Sequence, residues 1–299
     1  MLLMVLGFFC LVAVLMFTVI NADDTGVPQF DNNTGYGGGG RGGGDGGVTG
    51  GGPGIKLKDL PTLPSAANPP AGAIVGKSLS QFKWVDSQVV PRGAAPEIPN
   101  IQQVAPGVFK CILRNGRGWH DGDRNLTTGR YAVKGRAELC CLGGNTPYRA
   151  GETWLIGSTI MFDKNFVPSS GYCNSHQPVL HQSYISWDLK GDTMVGTLNV
   201  FERGLGSSSR AVRTVQVKRG QWVTLVLKVT FGTNGYYGLS VNGDDFKGFN
   251  CDTSIGHIHG SQVGKVSSFG GTWGLYMIMN GAPRDCVVYH AMPFIKKLK

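Results

Sequence analysis

Glutamate is scarce in this chain: Glu97, Glu138, Glu152 and Glu202 are the only four in 299 residues. No segment with a strand pattern carries carboxylates in a Glu-x-Asp-x-x-Glu spacing. That excludes the paired-carboxylate arrangement of a sandwich-fold glycoside hydrolase. CxxC and HxxxH spacings are missing, and with them the commonest zinc frames. His257-Ile258-His259 places two imidazoles on one face of an extended segment but offers no third ligand, so no metal site is expected. There is no Gly-x-Ser-x-Gly elbow and no phosphate-cradling glycine loop. No stretch sustains a 3.6-residue period, and after residue 20 no apolar run is long enough to cross a bilayer.

Glycine, by contrast, is abundant at 47 residues, and most of the excess precedes residue 55. Leu2 to Ile20 is an almost unbroken apolar run ending in Asn21-Ala22-Asp23-Asp24. It suits either a cleaved signal peptide or an uncleaved signal-anchor covering residues 1–22. Both send the remainder out of the cytosol, either secreted or membrane-tethered. Residues 23–54 are Gly-rich and bury too little apolar surface to order themselves. The Pro- and Ala-rich continuation (Leu60-Pro61, Leu63-Pro64, Pro69-Pro70) reads as a stiffer part of the same tether, so a linker over 23–77 and one folded domain over 78–299 are expected. Net charge is +9, carried entirely by the part beyond the Gly-rich segment. An acidic partner follows: an anionic polysaccharide, nucleic acid or a membrane surface. Nucleic acid is disfavoured, because Arg41 is the only arginine in the Gly-rich segment and no recognition module is present.

Beyond Cys10 of the leader, six cysteines remain: Cys111, Cys140, Cys141, Cys173, Cys251 and Cys286. An even number in an oxidising compartment predicts disulfides, with different partners for the adjacent Cys140 and Cys141. The sequons at Asn32 and Asn125 are possible glycosylation points.

From about residue 78 the pattern is that of short strands. Val108–Leu113, Ala132–Leu139, Trp154–Phe162, Val179–Trp187, Thr193–Phe201, Ala211–Val217, Trp222–Phe231, Tyr237–Val241, Gly274–Met279 and Val287–Phe294 alternate or are rich in β-branched and aromatic residues. Asn115-Gly116, Lys190-Gly191-Asp192, Arg219-Gly220, Thr233-Asn234-Gly235 and Asn242-Gly243-Asp244 supply turns between them. The expected fold is all-β: an antiparallel β-sandwich, a concanavalin-like jelly roll, behind a disordered linker. Within it, Lys134, Arg136 and Glu138 fall on one face of a strand. Two cations and an acid are costly to bury, so this stripe is either a solvated face or a floor for an anion.

Six pieces in order over residues 108–295 resemble the β-jelly-roll polysaccharide lyases, the group of heparinase I-like enzymes and of alginate and glucuronan lyases from molluscs and large algal viruses. They are Lys134-Gly135-Arg136-Ala137-Glu138-Leu139; Gly151-Glu152-Thr153-Trp154-Leu155-Ile156-Gly157-Ser158; Phe162-Asp163-Lys164-Asn165-Phe166; Val179-Leu180-His181-Gln182; Gly220-Gln221-Trp222-Val223 with the later Val241-Asn242-Gly243; and Trp273-Gly274-Leu275-Tyr276. The resemblance implies β-elimination on an anionic polysaccharide of alginate, glucuronan or glycosaminoglycan type. A cation or amide neutralises the C6 carboxylate, a base takes the C5 proton, and an acid protonates the leaving oxygen. It needs no metal or organic cofactor. By the same resemblance the catalytic candidates are Tyr276 as acid, Arg136, Lys134 and Gln182 at the carboxylate, and His181 as base. Glu138, Ser158 and Tyr184 are expected to bind substrate, Glu138 by orienting Arg136. Two positions depart from the family: Tyr184 stands where it has a histidine, and Thr272 where it has a lysine. His176, just before the predicted strand, is a second possible source of an imidazole. The alternative the departures leave open is a non-catalytic glycan-binding or structural surface protein on the same fold, such as a viral envelope component on a virion surface.

Overall fold

The computed structural model describes residues 60–87, 100–113, 134–142, 148–168, 173–177, 183–201, 209–254, 271–278 and 285–299. They form fifteen strands and two single-turn 3-10 helices, Ser65–Ala67 and Leu79–Gln81. The strands are β1 Ile74–Val75, β2 Phe82–Ser87, β3 Ile101–Ala105, β4 Val108–Leu113, β5 Lys134–Leu142, β6 Thr153–Phe162, β7 Cys173–Gln177, β8 Ser183–Lys190, β9 Thr193–Phe201, β10 Ser209–Lys218, β11 Val223–Thr230, β12 Gly235–Val241, β13 Lys247–Cys251, β14 Thr272–Ile278 and β15 Cys286–Lys297. All pairings are antiparallel. The result is the expected β-sandwich of the jelly-roll class.

One sheet runs β13-β12-β11-β6-β15-β4-β3, with β1 added on β15. The other runs β10-β9-β8-β7-β14-β5-β2. Alternation decides which side chains fill the space between them. In β9, Met194, Gly196, Leu198 and Val200 are buried while Thr193, Val195, Thr197, Asn199 and Phe201 are only half-buried. In β8, Ile185 and Trp187 join the core, and in β14 Trp273, Leu275 and Met277 do. Trp187 stands directly opposite Gly196, and its ring occupies the space a side chain there would fill. Each large apolar side chain so buried contributes about 1.5–3 kcal/mol.

Turn chemistry follows the sequence. Asn242 and Gly243 both have positive φ, as a type I′ turn after β12 requires, and Gly191 has positive φ between β8 and β9. Asp244 of the hairpin tip accepts hydrogen bonds from both guanidinium nitrogens of Arg213, whose Nη1 also donates to the Leu239 carbonyl at 2.9 Å. Arg210 lies over the Phe249 ring at 3.7 Å. These contacts clasp edge strand β10 of one sheet to β12 and β13 of the other.

Two expectations need correcting. The packed domain begins well before residue 78. Trp222 Nε1 donates to the Pro61 carbonyl at 2.8 Å, Ala67 is buried, the Gly76 amide donates to the Pro293 carbonyl at 2.8 Å, and β1 pairs with β15. The Pro-rich segment from residue 60 is therefore a strap along the outer side of the first sheet. Disulfides do not form among Cys111, Cys140, Cys251 and Cys286, which are buried thiols. The register explains it: they face Val288, Thr272, Gly235 and Leu113 respectively, never one another. The side chains of Cys141 and Cys173 lie outside the described residues, as do both sequons, His257, His259 and the leader. Among the described residues no helix is long and apolar enough to cross a membrane.

Candidate functional site

The second sheet presents its outer face as the site. Tyr276 of β14 stands opposite Arg136 of β5 on one side and Asn174 of β7 on the other. Asn174 stands opposite Ser186 of β8, Ser186 opposite Thr197 of β9, and Thr197 opposite Thr214 of β10. Directly opposed residues share a face. One polar row therefore crosses six neighbouring strands, Arg136–Tyr276–Asn174–Ser186–Thr197–Thr214. At the ordinary strand spacing it is roughly 24 Å long.

The row is knitted together where its side chains are described. Asn199 Nδ2 donates to Ser186 Oγ and to the Thr197 carbonyl, each at 3.0 Å. The Thr197 and Thr214 hydroxyls lie 3.5 Å apart. Tyr184, opposite Asn199, packs against Phe201 with ring centroids 5.6 Å apart. The half formed by β8, β9 and β10 is thus an amide and hydroxyl surface beside an aromatic pair. The other half is more enclosed: Tyr276 is 8% exposed and Glu138 is 4% exposed.

Of the predicted residues, Lys134, Arg136, Glu138, Tyr276 and Tyr184 all belong to this sheet. Lys134 stands opposite Ile278, Glu138 opposite Gly274, and Arg136 opposite Tyr276. The side chains of Lys134 and Arg136 are not among those described. His181 and Gln182 lie outside the described residues. His176 of β7 is opposite Trp273 and Ile185, two core residues, rather than in the Tyr276 row.

Ser158 is a correction. It belongs to β6 of the other sheet, is 1% exposed, and its hydroxyl meets Nδ1 of His290 at 3.2 Å inside the sandwich. The alternation that places Ile156 and Ile160 in the core places Ser158 there too, so it does not reach a substrate on the outer face. His290 Nε2 meets the Gly274 carbonyl at 3.2 Å. A carbonyl only accepts, so Nε2 carries the hydrogen, and Nδ1 accepts from the Ser158 hydroxyl. Burial pulls the His290 pKa down to about 4, partly opposed by the bond to Gly274. It is a neutral imidazole.

Two other groups have structural tasks. Glu152, of the Gly-Glu-Thr-Trp piece, accepts from Trp154 Nε1 at 3.0 Å and from Lys297 Nζ at 2.6 Å. Partial burial works against its charge, but these bonds outweigh it and hold its carboxyl below the usual range. Burial, helped by the charge of Glu138, pushes the Cys111 thiol far up and leaves it inert. Among the described residues no cluster of three His, Cys, Asp or Glu side chains is arranged to hold a metal.

Sequence reading missed Asn174, Ser186, Thr197, Asn199 and Thr214. The alternation in Ser-Tyr-Ile-Ser-Trp-Asp and Thr-Met-Val-Gly-Thr-Leu-Asn marks Ser186, Thr197 and Asn199 as outward polar positions, but only the pairing aligns them with Asn174 and Thr214. His290 was also missed, although one histidine in the otherwise apolar run Val287–Phe294 is a visible signal.

No family model matches the chain, and no curated protein does. Solved structures similar to it include an alginate lyase from Pseudomonas aeruginosa, at 15% identity and TM-score 0.46 over 74% of this chain and 98% of that one. An alginate lyase from Zobellia galactanivorans has 10% identity and TM-score 0.47 over 75% and 98%. A β-glucanase catalytic domain from Podospora anserina has 13% identity and TM-score 0.42 over 63% and 71%. None of these proteins lends this chain a residue or a reaction.

Proposed function

We propose that the outer face of the second sheet binds an anionic, uronic-acid-containing polysaccharide and cleaves it by β-elimination. The observation that carries this reading is the polar row through Tyr276, long enough for an extended chain and beginning at Arg136, with the second basic position Lys134 two residues away on the same strand. The net charge of +9 favours a polyanion as the occupant. Arg136 and Gln182 neutralise the C6 carboxylate, which makes the C5 proton acidic. A base, His181 or Tyr276 itself, removes that proton. The electron pair forms the C4=C5 double bond as the C4–O bond breaks, and the Tyr276 hydroxyl protonates the departing oxygen. Lys134 assists at the carboxylate. Glu138 orients Arg136.

The test is a panel of alginate, glucuronan and glycosaminoglycans, followed by ultraviolet absorbance of the unsaturated product. One polymer is expected to yield product, with kcat lowered about 10²–10⁴-fold by Tyr276→Phe. Unchanged kcat in that variant would remove Tyr276 from the chemistry.

A second reading has its own observation. Tyr184, where the resembled family carries a histidine, is packed against Phe201, an aromatic platform suited to a sugar ring. On that reading the face binds glycan without cutting it. Retention on immobilised alginate or heparin with no product from any polymer would select it.

A further inference from the structure

His290 is fully buried, opposite Ile160 on one side and Phe109 on the other. Burying an imidazole among apolar neighbours is costly unless its nitrogens find partners. A leucine would fill similar space without that demand. The partners it does find come from both sheets: the Ser158 hydroxyl from β6 and the Gly274 carbonyl from β14. The placement of that carbonyl matters. Gly274 has φ +143, a conformation reserved for glycine, and a side chain there would lie 2.1 Å from the Ala137 carbonyl of β5. Pairing of β14 with β7 is interrupted between Trp273 and Tyr276. At this irregularity β14 keeps its ladder to β5 but is not held on the β7 side. Two residues later the chain delivers Tyr276 to the row.

We propose that His290 is a positioning residue for Tyr276, acting through the Gly274 carbonyl to fix the bulge of β14 from inside the sandwich. Ser158 orients the ring by donating to Nδ1, so that Nε2–H faces the second sheet. The inference rests on the reading of Tyr276 as the reacting phenol. It assigns to Ser158 and His290 a part in the site, though neither touches the substrate.

The experiment compares His290→Leu, His290→Gln and Ser158→Ala in the full chain by hydrogen-exchange mass spectrometry and by kinetics on whichever polymer the wild type cleaves. The glutamine amide restores a donor near the Nε2 position. In His290→Leu, exchange is expected to rise selectively in peptides covering 272–278 and 134–142, with those of β8 and β9 unchanged. The same variant is expected to lose about tenfold in kcat, equal to about 1.4 kcal/mol, with KM within about twofold. His290→Gln should recover most of both effects, and Ser158→Ala should show them more weakly. Uniformly faster exchange in every core strand, or no recovery in the glutamine variant, would overturn the proposal. If the leucine variant does not fold, the glutamine and alanine variants still decide it: wild-type kcat and exchange in Ser158→Ala would count against it. A wild type that cleaves no polymer overturns the catalytic reading, and the exchange pattern then judges the bulge by itself.

Discussion

At the scale of single residues, His290 and Asp244 respond to acid in different windows. Buried His290 titrates near 4, whereas the same side chain in an unfolded chain titrates near 6.5. Between those values the unfolded state binds more protons, so folding stability is complete above about pH 6.5 and falls as pH drops toward 4. The whole step is on the order of 3 kcal/mol. Asp244 is shifted down to about 2, first by its hydrogen bonds to Arg213, so its contribution is held above its unfolded pKa and lost only as pH falls toward 2. Urea titrations at a series of pH values should therefore show stability declining from pH 6.5 to 4 in the wild type. The decline should be much shallower in His290→Leu, and the Asp244 window below pH 4 should be unaffected. An equal decline in both proteins would mean that other groups dominate this limb.

At the scale of the element, close approach sets what a strand tolerates. Trp187 lies against Gly196 so tightly that an added Cβ would sit 2.6 Å from the ring. Gly196→Ala is expected to cost about 1–3 kcal/mol through overpacking. Each kcal/mol lowers Tm by roughly 2–4 °C in a domain of this size. In a Trp187→Phe background the same change should cost less, and a double-mutant cycle measures the difference. Strands of this kind were legible in the sequence. Val108–Leu113 and Thr193–Phe201 match β4 and β9 end to end, the first as a short apolar run after a turn glycine and the second by strict alternation. Cys-Asn-Ser-His-Gln of β7 carries no apolar alternation and was invisible, as were β1, β2, β3 and β13. The site was legible only in part for a related reason. Lys134, Arg136 and Glu138 form a pattern within one strand, whereas the row through Tyr276 exists only once six strands pair. Ser158 was misplaced because a motif gives its strand but not its sheet.

At the scale of the whole molecule, charge and chain order govern behaviour. With a net charge of +9, binding to alginate or heparin should be mainly electrostatic. Retention on either polymer should be strong at about 0.1 M salt and lost toward about 1 M, as the screening length falls from about 10 Å to about 3 Å. Retention insensitive to salt would point to contacts other than charge. The strap from Pro61 to Val75 adds a different dependence. It is held at one end by Trp222, just before β11, and at the other by β15, so part of what precedes the sandwich in sequence is fixed by segments far along the chain.

That strand has a consequence in time as well as in space. β15 stands between β6 and β4 and also receives β1. Until residues 286–297 have been synthesised, the first sheet is two separate pieces with a ribbon-wide gap between them. Neither piece can close its core, and both present open edges to other chains. The first sheet is therefore the later of the two to close, because every strand of the second precedes residue 279.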